Sequence, residues 1–326
     1  MNYIVLDLEW NQSPDGKDTE DARLPFEIIE IGAVRLNAQH EITDRFHEII
    51  KPQVYSTLHF RIKEVVALRD ADLGLARTFP EVAHDFIAWC GEDPAFCTWG
   101  PADLTELQRN LSYYKMEFPF AFPLLYYDIQ KIFSIAYEDR KLRRSLEYAV
   151  SFLKLPMDIP FHSALCDAIY TAQIMKQLTE QQILENSSID YYRTPKSRRQ
   201  EVTLHYQTYT KFVSKPFESK AQAMRDRVVT STFCEKCQRN VPKKIRWFSV
   251  GGHNYFCLAY CEKHGWLKGK IRLRQHEDSS FYVIRTTKPI SEEEAYEIRE
   301  RKEILKLKRK LRREFHNKQQ ETKLET

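Results

Sequence analysis

The chain opens on an apolar run at residues 3–8, rich in β-formers and too short for a helix, which predicts a buried central strand. Residues 11–24 are polar and carry Pro14 and Gly16, so they predict a loop. Residues 26–36 alternate apolar with polar, 37–40 supply a turn, and 42–50 alternate again; together they predict a hairpin following the first strand. Helical spacing follows at 58–68 and 79–89, a short strand at 95–99, a helix at 101–114, and another short strand at 124–127. Helical patterns at 129–136, 145–153 and 163–178 complete the order β-β-β-α-α-β-α-β-α-α-α. That order predicts one α/β domain with a mixed sheet over residues 1–185.

Beyond residue 186 the pattern weakens. Residues 191–199 hold Pro195 with three Arg and one Lys, and 186–230 reads as a basic linker or helical connection. Residues 231–290 combine crowded cysteines with strand-like runs at 244–250, 254–257, 270–273 and 280–285. A long helix is predicted from Ser291, a candidate N-cap, with Glu292, Glu293 and Glu294 suiting the positive end of its dipole. Ile304, Leu307, Leu311 and Phe315 repeat on one of its faces, and the end from Gln319 is expected to fray. The expected domains are thus 1–185, the connection 186–230, a small domain at 231–290, and a basic helix with its tail at 291–326.

Composition narrows the functional classes. Of 326 residues, 42% are hydrophobic and 29% charged, so a packed core is expected and wholesale disorder is not. No run approaches 18 apolar residues, so no membrane partner is expected. The first residues lack a basic flank and Asp7 interrupts them at once, so they do not read as a secretory signal. Seven cysteines, four of them between 234 and 261, fit a reducing cytoplasm with one metal cluster better than a disulfide framework. The net charge of +4 hides a division: residues 1–180 carry 18 Lys/Arg against 28 Asp/Glu, and residues 181–326 carry 32 against 18. An acidic half suits divalent cations and a basic half suits a polyanion such as nucleic acid.

Asp7 and Glu9 stand two apart on the first strand, which puts both carboxylates on one face, about 7 Å apart at the backbone. Two acids facing the same way at the end of an apolar strand repel each other and lose solvation, and a divalent cation such as Mg²⁺ resolves the conflict. Asp103 follows Trp99-Gly100-Pro101-Ala102, where a strand gives way to a helix, a corner at which α/β sheets place functional side chains. Asp167 lies five residues after His162; Ser163 can cap the helix carrying Asp167, leaving His162 on the loop, free to face what Asp167 faces.

These segments, I-V-L-D-L-E-W-N-Q, C-T-W-G-P-A-D-L-T-E-L-Q-R-N and F-H-S-A-L-C-D-A-I-Y-T-A, resemble the three motifs of the DEDDh 3′–5′ exonucleases. F-E-I-I-E-I-G-A-V and S-L-E-Y-A-V-S-F-L look like the same family, and the pattern is most similar to the Eri-type (KapD-like) exonucleases, over residues 1–180. The resemblance implies a ribonuclease-H-like fold, a five-stranded mixed sheet flanked by helices. It also implies two Mg²⁺ or Mn²⁺ ions about 4 Å apart holding one phosphodiester. In that scheme Asp7 bridges both ions, Glu9 and Asp167 complete the first site, Asp103 holds the second ion, often through water, and His162 is the general base. The implied reaction removes nucleoside 5′-monophosphates from the 3′ end of single-stranded nucleic acid, with the Eri-type likeness favouring RNA over DNA. The competing reading is a silent scaffold or nucleic-acid-binding protein on the same fold; the intact set of four acids and His162 argues against it.

Three further residues stay outside this set. Trp10 could stack on a terminal base, worth about 1–3 kcal/mol, or pack under the loop at 11–24. Asn110 reads as a helix brace, and Glu30 as a buried, hydrogen-bonded acid. In the second half, Cys234-x-x-Cys237 is followed after 19 residues by Cys257, then Cys261 and His264. Tetrahedral Zn²⁺ needs four N/S ligands, and two pairs separated by a hairpin fit a zinc ribbon with one structural ion. Cys234, Cys237, Cys261 and His264 are the favoured set, since Cys261-x-x-His264 mirrors the first pair, with Cys257 the alternate. Cys90, Cys97 and Cys166 lie in apolar surroundings and read as inert. Around the cluster, Lys243, Lys244, Arg246, Lys268, Lys270, Arg272 and Arg274 interleave with aromatic residues, the composition of a nucleic-acid surface. The sequence names no protein partner.

Overall fold

The computed structural model describes residues 2–65, 70–276 and 278–324, and the chain divides into two compact units at Arg193/Thr194. In the first unit, strands β1 (Asn2–Asn11), β2 (Glu27–Leu36) and β3 (Ile42–Lys51) form the predicted meander. Two short helices follow, α1 (Phe60–Val65) and α2 (Asp70–Leu75), then β4 (Arg77–Thr78), α3 (Phe79–Cys90), β5 (Pro94–Thr98) and α4 (Ala102–Tyr113). The helix expected at 58–68 is α1; its last expected residues, from 66, lie outside the described ones. The unit closes with β6 (Leu125–Asp128), α5 (Ile129–Tyr137), α6 (Leu146–Phe152), α7 (Ala164–Lys176), α8 (Glu180–Leu184) and β7 (Ser188–Ile189).

The sheet order is β4-β3-β2-β1-β5-β6-β7, with β1 antiparallel to β2 and parallel to β5. Its five central strands are the expected five-stranded mixed sheet. The two edge strands are two residues long, too short for any periodic signature. β1 is buried on both faces, as its continuous apolar run requires. Ile4, Leu6 and Leu8 join the core that contains Phe79 and Phe86 of α3 and Leu104 and Leu107 of α4. Tyr3 and Val5 join the opposite core with Phe133 of α5, Val150 of α6, and Tyr170 and Ile174 of α7. Strand alternation therefore sends Asp7 and Glu9 toward the α7 side, at the C-terminal half of β1.

The second unit is organised around an antiparallel six-stranded sheet. Its elements are β8 (Val202–His205), β9 (Thr210–Val213), α9 (Lys220–Arg225), the small hairpin β10 (Phe233–Cys234) and β11 (Arg239–Asn240), then β12 (Lys243–Gly251), β13 (Asn254–Cys261), β14 (Gly265–Gln275), β15 (Phe281–Pro289) and α10 (Glu292–Leu324). The order is β12-β13-β14-β15-β9-β8, so within residues 202–213, read from sequence as part of a connection, β9 pairs with β15 and β8 pairs with β9 at the sheet's edge. The strands are four residues each, and only Val202, Phe212 and Val213 of them are buried, which leaves too little alternation to recognise. The central strands run longer than the sequence pattern suggests because their polar positions continue the hydrogen-bonded ladder past the apolar ones.

α10 begins where expected, with Ser291 Oγ accepting from the Glu294 backbone N–H at 3.2 Å. It extends to Leu324; Gln319-Gln320-Glu321 and Lys323-Leu324 are good helix formers. Among the described residues, no helix is long and apolar enough to cross a membrane.

Candidate functional site

The acidic site is assembled by one close approach. Gly32 on β2 pairs with Asp7, and a Cβ at Gly32 would lie 2.0 Å from the Leu165 backbone nitrogen and 2.1 Å from the Ala164 carbonyl carbon. Any side chain there would push the start of α7 off the sheet. With glycine, α7 packs directly on β2, and Asp167 in its first turn comes against the β1 acids. Ligand oxygens of Asp7, Glu9 and Asp167 all lie within 4.8 Å of one another. Asp103, in the first turn of α4, is buried, and its Oδ1 accepts the Leu8 backbone N–H at 3.2 Å.

The electrostatics of this cluster are one-sided. Burial, then the charges of Asp103, Asp167, Glu9 and Glu30, hold the Asp7 carboxyl well above the usual carboxylate range. Burial and the charges of Glu30, Asp167 and Asp103 push Glu9 up to about 8. Burial lifts Asp103 to about 7 against the Leu8 hydrogen bond, and Asp167 to about 6 against the hydrogen bond and charge of His162. The Asp167 Oδ1 is buried without a hydrogen-bond partner. Converging hard oxygens, mutual repulsion and an orphaned carboxylate oxygen are the donor set that Mg²⁺ or Mn²⁺ fits, and no thiol or imidazole sits among them to favour a softer metal.

His162 stands on the loop before α7 in the left-handed region, φ +65°. Its backbone N–H points to Asp167 Oδ2 at 3.4 Å, while its half-exposed imidazole lies with Nε2 3.7 Å from Glu147 Oε1 of α6. The histidine expected to face the acids is thus tied to them by its backbone, and its ring has a carboxylate partner that sequence reading did not single out. Glu30, which pairs with Glu9 across the strands, holds the loop in place. Its Oε1 accepts from Ser163 Oγ at 2.9 Å and Ala164 N–H at 3.1 Å, and lies 2.9 Å from His47 Nε2. Asn110 braces α4 to β2, accepting from Ile28 N–H at 3.1 Å and donating to the Phe26 carbonyl at 2.9 Å. Trp10 packs on Phe26, with ring centroids 5.7 Å apart.

In the second unit a Cys₃His group comes together at the ends of two hairpins. Cys234 ends β10 and Cys237 ends a 3₁₀ turn, Cys261 ends β13, and His264 lies in the turn before β14, where Gly265 takes φ +78°. His264 Nδ1 lies 3.5, 3.1 and 3.7 Å from the sulfurs of Cys234, Cys237 and Cys261, and the Cys237 and Cys261 sulfurs are 3.5 Å apart. A tetrahedron with Zn–S bonds near 2.3 Å has sulfurs about 3.8 Å apart, so the group fits Zn²⁺. Cys257, the alternate, is outside this cluster: its Sγ packs over Gly269, and burial pushes its thiol up to about 12. Of the basic residues, Lys268, Lys270, Arg272 and Arg274 alternate along β14, while Lys243, Lys244 and Arg246 lie on β12, the sheet's edge strand.

With the mixed sheet and the acidic group at the C-terminal half of its first strand in place, a sequence profile described as exonuclease (RNase T) matches residues 4–175, just over half of the chain. The chain belongs to the exonuclease family, and the fold of its first unit is ribonuclease-H-like. No curated protein matches the chain. Among solved structures, the nuclease domain of 3′hExo, described as a DEDDh family member bound to rAMP, is 23% identical with a TM-score of 0.46, covering 54% of this chain and 90% of its own. Cell-death related nuclease 4 (CRN-4) is 19% identical with a TM-score of 0.47, covering 58% and 65% respectively. E. coli exonuclease I in complex with a dA16 oligonucleotide is 10% identical with a TM-score of 0.48, covering 79% and 54%.

Proposed function

We propose that the chain is a metal-dependent 3′–5′ exonuclease that shortens single-stranded nucleic acid, RNA ahead of DNA, and releases nucleoside 5′-monophosphates. The observation that carries this reading is the convergence of Asp7, Glu9 and Asp167 from β1 and α7 on one point, with a buried Asp167 oxygen left unpaired. The preference for RNA rests on the Eri-type pattern of the motifs alone. When bound, two Mg²⁺ or Mn²⁺ ions would neutralise the scissile phosphate and make water a nucleophile near neutral pH.

The chain's own residues do the rest. Asp7, Glu9 and Asp167, together with Asp103, fixed by the Leu8 N–H, would hold the cations. His162 takes the proton of the attacking water, and Glu147 orients its ring. Glu30 is a positioning residue that fixes the loop through Ser163 and Ala164. In the second unit Cys234, Cys237, Cys261 and His264 would hold one structural Zn²⁺.

End-labelled RNA and DNA of equal length, incubated with the purified chain and Mg²⁺ or Mn²⁺, test the reading. Ladders shortening from the 3′ end, with 5′-monophosphates as product, are expected. Asp7→Asn should reduce the rate by at least ~10³-fold while the fold survives, and His162→Ala by about 10²–10⁴-fold. Full activity in the Asp7 variant, or products bearing a 3′-phosphate, would overturn it.

A further inference from the structure

The second unit gathers positive charge along one face of β14, answered by acids, Glu294 and Glu297, only at its Lys268 end. Period-two alternation puts Lys268, Lys270, Arg272 and Arg274 on one side of β14, while Leu267, Ile271 and Leu273 fill the opposite, buried side. The first turns of α10 pack on the cationic side, Ala295 and Ile298 against Leu258. One turn further, the Arg301 guanidinium lies 5.2 Å from the centre of the Phe256 ring, and the Lys268 ammonium lies 4.6 Å from the same ring. The helix thereby brings an arginine to the row from β14. Lys270, Arg272, Arg274 and Arg301 line a groove of about 440 Å³ with Phe256 and Asn254.

Ordinary basic surfaces are laced with ion pairs, and α10 makes such pairs elsewhere, Lys288 with Glu294, Lys306 with Glu303 and Lys310 with Glu314. Among the described residues, none joins a carboxylate to Lys270, Arg272, Arg274 or Arg301. Burial, then the charges of Arg272, Lys268 and Arg301, hold Lys270 below the ordinary lysine range. Four like charges held together by the fold are a cost that a polyanion removes. Alternate residues on a strand recur about every 7 Å, a spacing of the same order as the step between phosphates in an extended single strand. The ring of Phe256 is buried beneath Lys268 and Arg301, so the groove offers charge and not a stacking platform.

We infer that this groove binds the phosphodiester backbone of a single nucleic-acid strand, with Lys270, Arg272, Arg274 and Arg301 contacting successive phosphates. The choice of ligand rests on the nuclease reading; the geometry of the groove does not. Fluorescence anisotropy of the full chain, without added Mg²⁺ or Mn²⁺, tests it with labelled single-stranded RNA and DNA of about 20 nucleotides, whose integrity is checked on a gel. Lys270→Ala/Arg272→Ala should weaken both arms roughly tenfold and flatten the slope of log affinity against log salt by about 0.7 per charge removed. Lys236→Ala/Arg239→Ala removes the same charge from the exposed β10–β11 hairpin and should change affinity by less than about twofold. Lys270→Arg/Arg272→Lys keeps the charge and should keep the binding, which separates lost contact from lost fold.

Groove variants that bind like the parent, or no more weakly than the hairpin control, overturn the inference. So does a chain that binds anionic phosphatidylserine vesicles and neither oligonucleotide. A loss in one nucleic-acid arm alone supports the groove and shows that it also reads the sugar. Strand binding through the groove with no hydrolysis on adding Mg²⁺ would defeat the nuclease reading alone; hydrolysis with undiminished binding by the groove variants would defeat the groove alone.

Discussion

Burial first, and neighbouring carboxylates after it, raise the hold of Asp7, Glu9, Asp103 and Asp167 on their protons, and that makes the site a pH-dependent liability that a bound cation would relieve. Glu9, Asp103 and Asp167 reach about 8, 7 and 6, whereas the unfolded chain would release those protons near pH 4. Between those limits the folded chain carries more bound protons than the unfolded one, so its stability falls as pH rises through the window. Mg²⁺ must displace the same protons, so its stabilising effect should grow over the same range. Thermal unfolding at pH 5 and pH 8, with and without Mg²⁺, checks this: a small Mg²⁺ shift is expected at pH 5 and a shift of several degrees at pH 8. Equal shifts at both, or none in the parent chain, would remove the cleft as a cation site. The acids themselves were legible because each sits at a recognisable junction: an apolar strand's end, a strand-to-helix corner, a capped helix start. What was not legible is what crosses between elements. The partners of Glu30 are His47 on β3 and the start of α7, and Glu147 reaches His162 from α6. Gly32 reads in sequence only as a gap in an apolar run; its necessity appears once the α7 backbone lies against it.

At the scale of elements, the Cys₃His group joins the β10–β11 hairpin to the turn between β13 and β14, and it takes the place of a core there. Leu267, Val241 and Ala259 are the apolar residues packed around the cysteines. A hairpin of two-residue strands is far below independent stability, and a metal bound by the Cys₃His group would supply the missing free energy. One zinc per chain is expected by elemental analysis. Cys237→Ser should abolish it and lower the unfolding midpoint by roughly 4 °C for each kcal/mol lost. Thiol titration gives a second readout: chelation should expose Cys234, Cys237 and Cys261 to reagent, while Cys97 and Cys257, fully buried, stay protected until the chain unfolds. Zinc-free protein with the parent's stability would refute this role. The coming together of Cys234, Cys237, Cys261 and His264 was readable from spacing, since two x-x-separated pairs can close only at turns. β8 and β9 were not, because a four-residue strand is specified by the strand it pairs with.

At the scale of the whole molecule, the charge division acquires a use. Residues 1–180 have ten more acids than bases, and residues 181–326 have fourteen more bases than acids, as 18 against 28 and 32 against 18 give. In the first unit Asp7, Glu9 and Asp167 converge at the end of β1; bases in the second lie in a row on β14 and along α10, where Arg309 also donates to the Ser249 carbonyl at 2.7 Å. A polyanion bound by many lysines and arginines releases its own counterions, and that release weakens as salt rises. A dinucleotide has too few phosphates to draw on it. The two substrates should therefore part company in salt: between about 50 and 200 mM, KM for a strand of about 20 nucleotides should rise at least ~10-fold, while KM for a dinucleotide changes by less than about threefold. Steady-state hydrolysis of both by the full chain, with Mg²⁺ held constant, measures the difference. Parallel salt curves would mean that the basic unit contributes nothing to holding the substrate, and that its charge answers to some other polyanion.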